Sequence, residues 1–126
     1  RWLEPYGIDP DTAFVALIPY SGQVVTHFER RRELGLPDTQ PLVDDMAPLS
    51  YVRPDCRPML ILSGDREREM LGRYEENAYF WRMMRVAGHP DVRICEFDGF
   101  DHGNMPQAGH FVAVRYIREM ERRMDR

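Results

Sequence analysis

The chain has 126 residues, of which 43% are hydrophobic and 30% charged, and its formal net charge is −4. This length suits a single globular unit with a hydrophobic core. The negative charge argues against a nucleic-acid partner, because such partners select basic surfaces. No apolar run approaches the roughly 20 residues of a membrane span, so no spanning helix is predicted.

The first residues are rich in turn formers, and the sequence starts at Arg1 with no initiator methionine or targeting signal. The chain is also shorter than a usual α/β enzyme. Both observations favour a piece of a longer gene product.

The first predicted strand covers residues 13–18, a continuous apolar run that Pro19 closes. Unbroken apolar character is typical of strands covered on both faces, as in parallel sheets. Ser21 and Gly22 follow and are predicted to form a turn.

The next forty residues show weaker patterns. A short helix is predicted between residues 24 and 34, with Gly35 and Pro37 ending it. Residues 38–55 are proline-rich and have little periodicity, which predicts a long loop near a site or a cap. A plain connecting loop fits this composition equally well.

Residues 58–67 give the clearest pattern in the chain. Four large apolar side chains stand between Pro58 and Gly64, and Asp65 and Glu67 follow the glycine. The pattern predicts a buried strand that ends in acidic residues. Since open α/β sheets place their sites at the carboxyl ends of strands, either acid could serve such a site.

Two longer helices are predicted from apolar residues spaced three or four apart. The first stripe consists of Met70, Tyr74, Ala78, Trp81 and Met84. The second consists of Ala113, Val114, Ile117, Met120 and Met124. Between these helices, Val92–Phe97 predicts a third strand of mixed character, nearer a sheet edge. Three strands alternating with helices indicate a three-layer α/β/α fold with a mainly parallel sheet.

His102 stands on a glycine-flanked loop directly after the third predicted strand. A loop histidine is free to turn its ring into a cleft, and the neighbouring strand presents Asp65 and Glu67. This pairing suggests the histidine and acid of a nucleophile–His–acid triad. From spacing alone, a loop histidine bonded to backbone remains an open alternative.

Four segments together resemble the carboxyl-terminal half of an α/β-hydrolase: Ser21-Gly22-Gln23, residues 47–52, residues 58–67 and residues 99–103. The nearest group is that of esterases and lipases, including hormone-sensitive-lipase-like and feruloyl-esterase-like enzymes. The resemblance implies that His102 is the triad base. It places the triad acid three residues after the strand-ending glycine, at Glu67, where most relatives have Asp, with Asp65 as second candidate.

The chain lacks two parts that this family needs. It contains no Gly-x-Ser-x-Gly elbow for the nucleophile and no glycine-rich oxyanion loop. Its serines are Ser21, Ser50 and Ser63, and none has the flanking glycines of an elbow. Residues 1–126 are therefore expected to be the carboxyl-terminal portion of a carboxylesterase or lipase, with the base and acid but without the nucleophile.

The remaining expectations concern ligands and partners. No metal or cofactor is expected, because His27, His89, His102 and His110 lack the spacing of a zinc site. The implied partner is a small ester substrate, with no nucleic acid. An apolar edge at residues 13–18 would also need cover from a second copy, a swapped segment or the absent half.

Two other functions are weighed against the esterase hypothesis. A non-catalytic interaction or binding domain derived from the hydrolase fold would show a degraded acid or histidine position, and both positions are filled here. A flavodoxin-like binding module would need a phosphate-cradling glycine loop or an acidic cluster after the first strand. Residues 18–22 supply neither.

Overall fold

A computed structural model of the chain describes residues 3–125. Its parallel sheet has two strands, β1 (Met59–Gly64) and β2 (Val92–Phe97), in the register Met59↔Val92 to Gly64↔Phe97. The helices are α1 (Pro10–Ala13), α2 (Phe28–Glu33), α3 (Arg73–Val86) and α4 (Met105–Met124). Short 3-10 turns cover Glu4–Tyr6 and Pro48–Tyr51. The short helix predicted between residues 24 and 34 is confirmed as α2.

All six residues of β1 are buried, because a helix covers each face of the sheet. Met59 and Ile61 face Phe80 and Met84 of α3. Leu60 and Leu62 belong to the second core, which they share with α4 residues Met105, Ala113, Tyr116 and Met120. This alternation follows from the two-residue period of a strand. The predicted three-layer α/β/α arrangement is confirmed.

Residues 13–18 do not form the regular strand that was predicted, and the segment that pairs with β1 lies further along the chain. Ala13 ends α1, and the chain meets β1 only from Leu17 to Ser21, through parallel bridges Leu17↔Met59 and Tyr20↔Leu62. The amide of Leu60 donates to Leu17 O at 2.9 Å, that of Leu62 to Pro19 O at 3.0 Å, and that of Ser21 to Leu62 O at 2.7 Å. Pro19 has no N–H, which removes one bond from this ladder.

The buried face of α3 differs from the predicted apolar stripe. It consists of Arg73, Asn77, Phe80 and Met84. Only Met84 belongs to both sets, and Met70 precedes the helix. The face of α4 is likewise displaced: Met105, Gly109, Ala113, Tyr116 and Met120 are buried. Val114, Ile117 and Met124 remain exposed.

In the described part of the chain, no helix has the length and apolar character required to cross a membrane.

Candidate active site

The site lies at the carboxyl end of β1, where a turn folds the chain back onto the strand. The amides of Arg68 and Glu69 both donate to Asp65 O, at 2.9 and 2.8 Å. Gly64 permits this close packing, since a Cβ there would lie 2.6 Å from Phe100 O and 3.0 Å from Glu69 Oε1. The turn thus returns the Glu69 side chain to the strand end.

The Glu69 carboxylate accepts hydrogen bonds at both oxygens. Oε1 accepts from the Ser21 hydroxyl at 2.5 Å and from the Gly64 amide at 3.0 Å. Oε2 lies 3.0 Å from the Met70 amide and 3.0 Å from His102 Nδ1. The side chain has no exposed surface. A buried carboxylate with this many donors is held in one orientation.

Two opposing effects act on the pKa of Glu69. Burial raises the pKa, because desolvation disfavours the charged form. Hydrogen bonds from Ser21, Gly64 and Met70, together with His102, outweigh burial and hold the pKa of Glu69 below its ordinary value. The carboxylate is therefore ionised at neutral pH and can only accept hydrogen bonds.

The loop that presents His102 is fixed by its own side chains. Asp101 Oδ1 accepts from the amides of Gly103 and Asn104, both at 2.9 Å, and Asn104 Oδ1 accepts from the Asp101 amide at 2.7 Å. The His102 side chain keeps 44% exposure while its Nδ1 faces the buried Glu69. Within residues 3–125, no hydrogen bond is made to its Nε2.

Neither acid predicted from the sequence contacts the histidine. Asp65 instead joins two loops: its Oδ1 accepts from the Glu67 amide at 2.9 Å and its Oδ2 from the Gly99 amide at 2.8 Å. The Gly99 and Glu67 amides lower the pKa of Asp65. Glu67 is exposed. The acid beside His102 is Glu69, five residues after the strand glycine.

Ser21 is a further member of the site, although the sequence predicted it only as part of a turn and of a segment that resembles the hydrolases. It is 2% exposed, has φ +44°, and its Oγ lies 3.1 Å from His102 Nδ1. Two buried polar residues of α3 hold this segment. Arg73 donates to Ser21 O at 2.5 Å, and Asn77 donates to Gly22 O at 2.8 Å. The polar residues within the helix pattern were the signal that could have indicated this contact.

Among the residues that the structure describes, no group of three or more His, Cys, Asp and Glu side chains is arranged to hold a metal ion. The cluster of Ser21, Glu69 and His102 is instead suited to proton transfer. A buried carboxylate holds Nδ1, and the opposite ring nitrogen is left for a reacting group.

No family model matches the sequence, and no curated protein matches it. Solved structures of a thermophilic esterase from the planctomycete Thermogutta terrifontis do match. The propionate-bound form covers 84% of this chain at 20% identity, with a TM-score of 0.62. The form phosphoramylated by tabun also covers 84%, at 22% identity and a TM-score of 0.64, and the form phosphorylated by paraoxon has a TM-score of 0.59.

The match extends over 43%, 41% and 40% of those three esterase chains, so this chain spans about two fifths of their length. At this identity the likeness establishes the fold. The described residues form part of an α/β-hydrolase-like arrangement, as the sequence resemblance implied.

Proposed function

We propose that this chain is the carboxyl-terminal, base-and-acid part of a serine hydrolase that cleaves carboxylic esters. The observation that supports this most directly is the buried Glu69 carboxylate 3.0 Å from Nδ1 of His102. It is the arrangement that orients a histidine base in a triad. The likeness to an esterase fold agrees with it.

In this proposal the nucleophile is a serine outside these 126 residues. Its hydroxyl proton passes to His102 Nε2 as its oxygen attacks the ester carbonyl. The imidazolium then gives that proton to the departing alkoxide, and an acyl-enzyme remains. His102 next takes a proton from water as the water oxygen attacks the acyl group, and it returns that proton to the serine oxygen as the carboxylic acid leaves.

Glu69 keeps its charge throughout this cycle. Ionised Glu69 stabilises the imidazolium and fixes the ring through Nδ1, as the acid of a triad does. In this proposal Glu69 takes the role that the sequence resemblance gave to Glu67 or Asp65. Asp65 acts on the geometry of the site instead, because it joins the turn after β1 to the loop that precedes His102.

Ser21 is not the nucleophile in this scheme. Its Oγ lies on the Nδ1 side of His102, where Glu69 already holds the ring, and its hydroxyl donates to that same carboxylate. A nucleophile must face the nitrogen that takes its proton, which here is Nε2. The intact contact between Glu69 and His102 also favours a catalytic role over a hydrolase-derived binding domain.

The proposal is tested with the complete reading frame that contains this chain. With p-nitrophenyl butyrate as substrate, we expect His102→Ala and Glu69→Gln each to lower kcat/KM by about 10³-fold or more. Glu67→Gln is the matched control, since that side chain is exposed in the same turn. It should retain activity within about twofold.

The chain alone should hydrolyse the ester no faster than buffer, because it holds no nucleophile elbow. A rate well above buffer that disappears in His102→Ala would make Ser21 the nucleophile and contradict the proposal. So would loss of activity in Glu67→Gln together with full activity in Glu69→Gln.

A further inference from the structure

Ser21 stands in a backbone conformation that its residue type does not favour. Its φ of +44° lies in the left-handed region, where glycine is the least strained residue. Gly22 directly follows, so a glycine is already present beside this position. A buried serine held in strained backbone suggests that its side chain has a role, and strain of this kind concentrates at functional sites.

The hydroxyl of Ser21 has one proton, and the contacts determine where that proton points. Ionised Glu69 has none to give, so the short contact of 2.5 Å between Ser21 Oγ and Oε1 must be a bond that Ser21 donates. The Ser21 oxygen then has only lone pairs left for His102 Nδ1, which lies 3.1 Å away.

It follows that the proton between Ser21 and His102 belongs to Nδ1. That N–H lies within reach of two acceptors, Glu69 Oε2 at 3.0 Å and Ser21 Oγ at 3.1 Å. In a neutral imidazole one nitrogen carries the proton and the other is a lone-pair acceptor. With Nδ1 protonated, Nε2 is the acceptor, which is the tautomer that a general base needs.

We propose that Ser21 is a positioning residue for this site: its hydroxyl holds Oε1 of Glu69 while its oxygen accepts from Nδ1–H of His102. This inference rests on the proposed function, and it gives Ser21 a role that the triad pattern does not contain. Ser21 acts through Glu69 and His102 and does not touch the substrate.

The backbone contacts around Ser21 support such a role. Arg73 of α3 is 6% exposed, and it donates to the Ser21 carbonyl. The amide of Ser21 donates to Leu62 O in β1. The peptide groups on both sides of the side chain are therefore fixed, and the hydroxyl is directed at the Glu69 carboxylate.

The test is nuclear magnetic resonance on the 126-residue chain, which contains all three residues. Long-range ¹H–¹⁵N spectra give the tautomer of His102, and ¹³C spectra follow the titration of the Glu69 carboxyl. In the parent chain we expect the Nδ1–H tautomer and a Glu69 pKa below its ordinary value.

Ser21→Ala removes the hydroxyl and keeps Cβ. We expect the ratio of Nδ1–H to Nε2–H tautomers to fall by about 2- to 10-fold, the change that one hydrogen bond produces. The pKa of Glu69 should rise, because its Ser21 donor is gone. If Ser21→Ala fails to fold, Ser21→Gly removes the same hydroxyl and accommodates the positive φ.

The matched control is Ser50→Ala, in the 3-10 turn Pro48–Tyr51, because its hydroxyl bonds to Asp44 O and not to Glu69 or His102. It should leave both values unchanged. A folded Ser21→Ala or Ser21→Gly chain with the parental tautomer ratio and Glu69 pKa would overturn the inference. This readout needs no ester hydrolysis, so the inference can fail while the proposed function stands, and the proposed function can fail on kcat/KM while these contacts are observed.

Discussion

The strained backbone of Ser21 affects the stability of the fold, whereas its hydroxyl affects the orientation of Glu69. Its backbone would be more stable with glycine, yet its hydroxyl makes a 2.5 Å hydrogen bond to Glu69. A non-glycine residue in such a conformation costs about 1 kcal/mol or more in free energy. The stability of the fold and the orientation of the acid therefore respond differently to substitutions at this position.

We expect Ser21→Gly to be more stable than Ser21→Ala by about 1 kcal/mol in free energy of unfolding. Both variants lack the hydroxyl, so the difference reports the backbone conformation at residue 21 less the contacts of the alanine Cβ. Urea denaturation followed by circular dichroism measures it. Equal stability of the two variants would show that φ at residue 21 is not strained in the folded protein.

The sequence predicted His102 as a triad base and Asp65 or Glu67 as its acid, and these roles stay predictions, while the carboxylate that lies beside His102 is that of Glu69. His102 follows a strand on a glycine-rich loop, and that pattern is local. The choice of Glu69 depends on a turn that folds back onto β1 through the Asp65 carbonyl. Asp65, Glu67 and Glu69 alternate with two arginines in one short segment. Their spacing therefore does not indicate which carboxylate the turn directs towards His102.

Among the elements, the segment from Leu17 to Ser21 shows how a single residue limits a strand. Its bonds to β1 are those of a parallel ladder, except that Pro19 has no amide proton. The apolar run correctly indicated contact with β1, but not where that contact begins. Phe14 and Val15 belong to the same run and are 42% and 47% exposed. Hydrophobicity alone does not fix the register of a pairing segment.

The two helices show a related limit. Their existence followed from periodicity, but the buried face of α3 includes Arg73 and Asn77, which bond to the carbonyls of Ser21 and Gly22. A polar side chain with a buried carbonyl partner can occupy a core position. Apolar spacing therefore predicted the wrong stripe, because these polar residues have partners more than fifty positions earlier in the chain.

A group of charged residues links β2 to α4. Arg93 forms two hydrogen bonds of 2.8 Å with the carboxylate of Glu119, and Arg123 bonds to both Glu119 and Asp91. The bonds from Arg93 in particular lower the pKa of Glu119 to about 2. In the unfolded chain the pKa of a glutamic acid is about 4.3. The folded protein therefore binds this proton less readily than the unfolded chain.

This difference predicts how stability depends on pH. The contribution of Glu119 is complete above the unfolded pKa and is lost as pH falls from about 4.3 towards about 2. Glu119→Gln should give a flatter decline of stability over that interval. Urea midpoints measured across it provide the test, with Glu121→Gln on the exposed side of α4 as control. Parallel acid limbs for Glu119→Gln and the parent chain would contradict the expectation.

On the whole molecule, the outer side of residues 15–20 is an exposed apolar surface. An apolar groove of about 390 Å³ adjoins this segment on the α3 side, and another of about 340 Å³ adjoins it on the α4 side. Val15 and Ile117 are each nearly half exposed there, and Met124 is 66% exposed. Apolar surface of this kind beside an open strand edge favours association.

We expect the isolated chain to self-associate, so that light scattering after size-exclusion chromatography gives a mass above the 14.9 kDa of one chain. Ile117→Glu should reduce the association, because it places a charge in the groove on the α4 side. Val86→Glu is the control, since Val86 is exposed at the end of α3, away from both grooves. A well-folded monomer at all concentrations would contradict this prediction and show that the apolar surface stays exposed to solvent.

From β1 onward the order of strands and helices could be predicted from the sequence, and with it the layered arrangement. Apolar residues recur every two positions in a half-buried strand and every three or four in a helix, and the order of these elements restricts the possible folds. The site depends on contacts between residues 48 and 81 positions apart, between Ser21 and Glu69 and between Ser21 and His102. Local patterns do not encode such contacts, and for that reason the fold was more predictable than the composition of the site.

The position of Glu69 has a consequence for how such sites are sought in other sequences. Its carboxylate reaches the end of β1 because the turn occupies a set number of residues and the side chain has two methylene groups. An aspartate at the same position would end one carbon short, and it would suit a turn of different length. The number of residues between the glycine and the acid therefore depends on whether the acid is an aspartate or a glutamate. Under the proposed function, a search pattern that fixes the interval at three residues after the glycine would select Glu67 and pass over Glu69.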